Sequence, residues 1–420
     1  MGKIKNYDNG LRLINKYMPA TRSVSIGVFV GVGSANETPD NNGISHFTEH
    51  MLFKGTESRS AFEIAETIDG IGGQINAYTS KQMTSYYTVS VDEHLETCLD
   101  VLSDIFFNSV FDDEQLNKEQ KVVLEEISMV EDTPDDLCLD LAVASYYNDH
   151  PLGYPILGTR QNVESFNRDK LNEFVSRYYN PMNTVVSIAG NLTDDKAYKL
   201  IDKYFARKMK PQGVVPEKLS KSVRKSTLYT RFKEIEQANV AIVFPGLEFG
   251  NELEVAILLM NSVLGGGMSS LLFQKIREQM GLAYSVYSFP SSYINNGSYT
   301  IYFGTNKEKI LDALEGTKKV IEDLKTKGLT EKEFLRGKEQ LKGGLVLGQE
   351  SSSAIMNASG KMAIMKNDIF DIDKRLQAIK ELTMEDINRV IKKVFDFKDV
   401  SMSYVGPKID HDLMSIIQKG

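Results

Sequence analysis

Apolar and polar positions along the chain fall into two recurring rhythms. Residues 23–34, SVSIGVFVGVGS, alternate with the period of two expected of a β-strand. Residues 74–91, QINAYTSKQMTSYYTVSV, read as two strands joined by a turn. Apolar residues three and four apart predict helices over 45–53, 60–69, 94–108 and 112–131, and Ser60 with Glu63 forms a capping box at the start of the second. Strands and helices mix without a strict βαβ alternation. The expected class is therefore α+β, with mainly antiparallel sheets packed by helices.

The pattern repeats. Residues 168–190, RDKLNEFVSRYYNPMNTVVSIAG, align without a gap on residues 384–406, MEDINRVIKKVFDFKDVSMSYVG, at an offset of 216 residues. Leu171 meets Ile387, Asn172 meets Asn388, Phe174 meets Val390, Tyr179 meets Phe395 and Gly190 meets Gly406. In each copy an amphipathic helix leads into a β-rich run that ends at glycine. The offset is close to half the chain length, so two homologous α+β domains are expected. The stretch 206–222, ARKMKPQGVVPEKLSKS, carries two prolines, a glycine and several lysines with little apolar periodicity. It divides the chain into an N-terminal domain at 1–212, a linker at 213–222 and a C-terminal domain at 223–420.

Composition narrows the class of function. With 420 residues, 41% hydrophobic and 25% charged, the chain is an ordinary folded protein of two or three domains. A net charge of −8 argues against a nucleic-acid partner, which calls for a basic face. Two cysteines, Cys98 and Cys138, provide no disulfide framework and suit a reducing compartment. The opening MGKIKNYDNGLRLINKYMPA has no leader-like apolar run, and no segment of about 18 apolar residues is present for a membrane span. A cytoplasmic protein with no membrane association is the expectation.

Chemistry enters with the five histidines, His46, His50, His94, His150 and His411. Two of them lie in His46-Phe47-Thr48-Glu49-His50, where i and i+4 spacing on a helix directs two imidazoles to one side, as a metal pair requires. Glu49 stands between them, adjacent to the metal position without being a ligand, in the H-x-x-E-H order of inverted zinc peptidases. A third protein ligand must come from elsewhere. On the helix over 112–131, Leu116, Val123, Ile127 and Val130 make one apolar stripe, and Glu119 and Glu126 fall at its edge while Glu125 faces away. Carboxylates turned toward a core need a partner or a metal, so Glu126 is the candidate ligand and Glu119 its candidate supporting residue. Gly265-Gly266-Gly267 lacks the phosphate-loop pattern, and no G-x-S-x-G occurs.

These residues resemble the pitrilysin/insulinase superfamily of inverted-motif zinc peptidases, and in particular the short bacterial relatives of the mitochondrial processing peptidase β subunit. The resemblance rests on His46 to His50, the preceding GVGSANETPDNNGIS, Glu126 seventy-six residues after His50, NAYTS at 76–80, HPLGYPILGT at 150–159 and LGGGMSSLLFQKIREQMGLAYSV at 264–286. It implies one zinc ion per chain held by His46, His50 and Glu126, Glu49 as general base, and Glu119 in support. It further implies that Arg277 and Tyr284 contact the bound peptide, and that Asn76 and Ala77 lie on an edge strand that pairs with it. The implied activity is an endopeptidase that hydrolyses peptides or unfolded segments in an enclosed chamber. In four-domain relatives the zinc belongs to the first domain and the Arg/Tyr pair to the fourth, so a two-domain chain is expected to work as a homodimer with Arg277 and Tyr284 completing the partner's site. The alternative is a non-catalytic peptide-binding or structural subunit of the same family.

Overall fold

The computed structural model describes residues 4–223 and 225–418, folded as two compact α+β units. The first unit runs through Ile127 and includes Tyr154–Glu217 and Leu347–Asp371; the second holds Ser128–Gly153, Lys218–Val346 and the chain from Ile372 onward.

Six strands build the first sheet: β1 (Lys5–Asn6), β2 (Arg12–Tyr17), β3 (Ser23–Val30), β4 (Gln74–Thr79), β5 (Thr84–Val91) and β6 (Thr184–Gly190), in the order β1-β2-β6-β3-β5-β4. Only β2 and β6 pair in parallel. The second sheet contains β7 (Leu228–Phe232), β8 (Gln237–Pro245), β9 (Ser285–Tyr293), β10 (Asn296–Asn306) and β11 (Ser401–Gly406), in the order β7-β11-β8-β10-β9, with β7 and β11 the parallel pair. Without the two-residue β1, the two sheets have the same strand order and the same single parallel pairing. The repeat read from the sequence is thus a repeat of topology.

The helices of the first unit that concern the site are α1 (Ile44–Leu52), α2 (Ala61–Asp69), α3 (Leu95–Asn108) and α4 (Asp113–Asp132). Val24, Ile26, Val28 and Val30 of β3 point to one face of the sheet, where they meet Phe47 and Met51 of α1 and Leu99 and Leu102 of α3 in the main core. Phe29 points to the other face. With both faces covered, β3 is buried from Val24 to Val30, although its second face also carries Ser25 and Gly27.

The cover on the second face comes from a distant part of the chain. Helix Ser352–Lys366 packs on the first sheet through Met356 and Ala363, beside Ile14, Phe29 and Val185. In the second unit, α5 (Pro134–Tyr147) packs against β8 and β11. The two helices stand in corresponding places in the repeat and dock in corresponding ways. Ser187 of β6 donates its hydroxyl to the Met356 carbonyl at 2.8 Å, and Ser403 of β11, 216 residues on, donates to the Cys138 carbonyl at 2.6 Å. The compact units therefore differ from the contiguous division at 1–212, 213–222 and 223–420: each sheet is completed by a helix from the other half of the sequence. The chain also crosses between units at 217/218, inside the 213–222 stretch. Positions 1–3, 224 and 419–420 of that division lie outside the described residues.

Candidate metal centre

Helix α1 carries the histidine motif because its apolar positions anchor one side of it. Ile44, Phe47, Met51 and Leu52 are buried, with Phe47 against Phe166 at 5.4 Å between ring centroids. His46, Glu49 and His50 occupy the remaining, half-buried face. The start of the helix is fixed by a carboxylate. Glu37, 4% exposed, accepts hydrogen bonds from the backbone N–H of Gly43 at 2.7 Å and of Ser45 at 2.8 Å, and from the Asn42 amide at 2.8 Å. Burial pushes the Glu37 pKa up against those hydrogen bonds, which favour its charged form. Gly43 has φ +101°, and a Cβ there would stand 2.8 Å from Gly158 Cα, so this loop closes only with glycine.

Helix α4 supplies the carboxylates. Leu116 and Val123 are buried, and this seats Glu119 in the core side of the helix at 4% exposure, with Glu126 at the rim. His46 Nε2 and His50 Nε2 are 3.2 Å apart, and Glu126 Oε2 lies 3.9 Å from the first and 3.8 Å from the second. Ligand atoms about 2.0–2.2 Å from a tetrahedral zinc are separated by about 3.3–3.6 Å. The triangle therefore has the dimensions of three zinc ligands within a few tenths of an ångström. Two facing imidazole nitrogens can share only one proton, whereas a cation satisfies both lone pairs at once. Among the described residues, this is the cluster of three or more His, Cys, Asp or Glu able to hold a metal.

The surroundings tune the two rings differently. Burial, reinforced by the neighbouring His50, lowers the His46 pKa to about 3, so this ring is neutral and its lone pair available. Burial acts on His50 in the same direction, but the hydrogen bond to Glu119 and the charges of Glu126, Glu119 and Glu49 prevail and raise its pKa. His50 Nδ1 lies 2.7 Å from Glu119 Oε1, and Glu119 Oε2 pairs with Lys54 Nζ at 2.7 Å. Burial raises the Glu119 pKa, yet the bonds to His50 and Lys54 outweigh it and hold the carboxyl below its ordinary value. A carboxylate on Nδ1 fixes the tautomer that presents Nε2 to a metal.

Glu49 is on the same face but outside the triangle. Burial raises its pKa, opposed by the hydrogen bond that Thr79 Oγ1 donates to Glu49 Oε2 at 2.5 Å and by His50. Behind it, the hydroxyls of Tyr86 and Tyr179 bond each other at 2.7 Å, buried together. Asn76 and Ala77 lie on β4, the edge strand of the first sheet, with Asn76 exposed and its Oδ1 accepting the Ala77 N–H at 2.8 Å.

Arg277 and Tyr284 belong to the second unit. Arg277 rides on a π-helical turn, Phe273–Gln279, and its guanidinium lies 5.2 Å from the Tyr284 ring centre and 4.7 Å from that of Phe273. Tyr284 is 80% exposed. The remaining histidines are elsewhere: His150, for example, bonds the Ser220 carbonyl at 3.1 Å.

Three residues of the site escape sequence reasoning: Glu37, Lys54 and Thr79. Lys54 had a signal, since it follows His50 by four residues and could reach the same side. Glu37 had a weaker one, an acid ahead of a helix start. Thr79 had none.

Comparison with known proteins agrees with this geometry. Residues 12–160 match the family described as Insulinase (Peptidase family M16), and residues 165–341 match the Peptidase M16 inactive domain. The chain is 44% identical to the Bacillus subtilis "uncharacterized zinc protease YmxG" over 96% of this chain and 98% of that protein. An "uncharacterized zinc protease" of Streptomyces coelicolor is 36% identical over 96% of this chain and 88% of its own. In fold, the chain superposes on a peptidase M16 inactive domain from Pseudomonas fluorescens with a TM-score of 0.90 at 19% identity, covering 98% and 99% of the two chains. A protease from Helicobacter pylori gives 0.88 at 22% identity, covering 97% and 99%. No helix among the described residues is long and apolar enough to cross a membrane. With the motif helix, the distal carboxylates and both family matches in place over most of its length, this chain belongs to the insulinase family of zinc peptidases, peptidase family M16.

Proposed function

We propose that this protein is a zinc-dependent endopeptidase that hydrolyses peptides or unfolded segments. The observation that carries the reading is the convergence of His46 Nε2, His50 Nε2 and Glu126 Oε2 beside a glutamate, Glu49, that is not one of the three. One zinc per chain, held by those atoms, would supply Lewis acidity and bring the pKa of water toward neutrality. Glu49 accepts the proton of the water that attacks the scissile carbonyl and returns it to the leaving amine as the C–N bond breaks. Burial raises its pKa, the direction that favours a group which must both take and give a proton. Glu119 keeps His50 oriented through Nδ1, and Lys54 keeps Glu119 charged.

The edge of β4 offers backbone groups at Asn76 and Ala77 to which an extended peptide can add as a further strand. Following the family resemblance, Arg277 holds the peptide and Tyr284 donates to the developing oxyanion. The second half of the chain holds one histidine, His411, and matches an inactive domain, so catalysis is assigned to the first unit and substrate contact to the second. A homodimer acting in the cytoplasm on flexible peptides is the remainder of the proposal. The test is incubation of the zinc-loaded protein with a mixed peptide pool, with fragments read by mass spectrometry. Chelator-sensitive internal cleavage is expected; an unchanged pool would reject the reading.

A further inference from the structure

The geometry points to Thr79 as a positioning residue for Glu49, one that ties the general base to the same strand whose edge takes the substrate. This rests on the peptidase reading and adds to it a part for a residue outside the ligands and the base. Glu49 has three rotatable bonds, and a base that wanders loses its alignment; displacement by about 1 Å can cost on the order of a hundredfold in rate. Among the described residues, the hydrogen bond that Glu49 receives comes from Thr79 Oγ1, at 2.5 Å to Oε2. That bond occupies one carboxylate oxygen and leaves Oε1 to exchange the proton.

Thr79 is well suited to hold a longer side chain still. It is β-branched, so its own χ1 is restricted. It closes β4 opposite Thr84 of β5, and the turn that follows is tied at three points. Ser80 N donates to the Met83 carbonyl at 2.8 Å, Ser34 N to the Ser80 carbonyl at 3.2 Å and Ala35 N to the Lys81 carbonyl at 2.7 Å. The hydroxyl is thus anchored to the sheet, while α1, which bears Glu49, is fixed independently by the Glu37 carboxylate at its start. This bond joins helix and edge strand at the base itself. Asn76 and Ala77 lie three and two residues before Thr79 on the same strand. A peptide added along that edge is therefore registered against the very strand that sets the base.

The experiment compares Thr79→Val, which keeps shape and removes the hydroxyl, with Thr79→Ser, which keeps the hydroxyl. Thr79→Val is expected to lower kcat by about 10- to 100-fold, with KM, zinc affinity by chelator competition and Tm near those of the unaltered protein. Thr79→Ser should recover most of the rate. In the Glu49→Gln background, adding Thr79→Val should cost nothing more, because the two act as one unit. A crystal structure of zinc-loaded Thr79→Val should show the Glu49 carboxylate displaced or spread over rotamers. An unchanged kcat, an equal loss in Thr79→Ser, or a Glu49 that stays in place would overturn the inference. If the unaltered protein cuts no peptide, the peptidase reading fails, and the position of Glu49 in the Thr79→Val crystal decides the positioning role without it.

Discussion

His46 and His50 are one helical turn apart, yet their surroundings give them different tasks in taking up a metal. His46 is kept neutral by burial, while His50 is drawn toward its charged form by Glu119 and the nearby carboxylates. Zinc must displace a proton from His50 Nε2 but none from His46 above about pH 3. Because the His50 pKa is raised, that competition begins at a higher pH than for an ordinary imidazole near 6.5. Zinc affinity should therefore weaken by about tenfold per pH unit as pH falls below that point, with a slope of one proton from this pair. Chelator competition between pH 5.5 and 8 reads the slope; pH-independent affinity would show that the two rings do not differ in this way. Glu126→Gln should strip zinc, and stoichiometric zinc in that variant would remove Glu126 from the ligand set. Glu119→Gln should weaken zinc binding by about 10- to 100-fold, and Lys54→Met by less but in the same direction. At this scale the cluster of His46, His50 and Glu126, with Glu49 beside it, was legible, because metal chemistry restricts residue type and spacing. Thr79 was not, since a hydroxyl at a strand end has many uses and its partner is thirty residues away in sequence.

At the scale of the element, periodicity located four helices of the N-terminal half that each carry an apolar face. The expected 45–53, 60–69, 94–108 and 112–131 are observed as Ile44–Leu52, Ala61–Asp69, Leu95–Asn108 and Asp113–Asp132, with Ser60 and Glu63 forming the capping box. The two helices that cross between halves were not legible. The sequence PDDLCLDLAVASYY of α5 and SSAIMNASGKMAIMK of the helix Ser352–Lys366 spread apolar, small and polar residues around the whole helix. What fits them to a sheet is smallness. At Gly360, a Cβ would stand 2.1 Å from the Phe29 ring, and Ser352 takes its place through hydroxyl contacts of 2.9 Å to Ser23 and Ser25. Gly360→Ala should destabilise the protein by about 1–3 kcal/mol through overpacking against Phe29. For a domain of this size that is a fall in Tm of roughly 2–4 °C per kcal/mol, readable by calorimetry. An unchanged Tm would mean that helix and strand are free to separate at that point.

At the scale of the whole molecule, the repeat is informative because its two copies have diverged in chemistry while keeping their topology. Both sheets share a strand order and both receive a helix through a serine, Ser187 or Ser403, yet among the described residues the metal cluster is present in one copy only. The division into two domains of one kind was visible from the 216-residue offset. The helix exchange was not, because a contact between distant segments leaves no mark on local periodicity. If a second chain completes each site, mixing Glu49→Gln with Tyr284→Phe should restore activity in a verified mixed dimer, since one of its two sites then has both groups. No recovery would assign Arg277 and Tyr284 to their own chain's site or to none.

The central claim is that His46, His50 and Glu126 hold zinc while Glu49 alone moves the proton, and one paired measurement addresses it. Zinc content and peptide turnover are determined together for the unaltered protein and for Glu49→Gln. One zinc per chain in both, with cleavage in the first and a loss of several orders of magnitude in the second, is the predicted result. Turnover by Glu49→Gln at a rate close to that of the unaltered protein would contradict the account, and so would loss of its zinc.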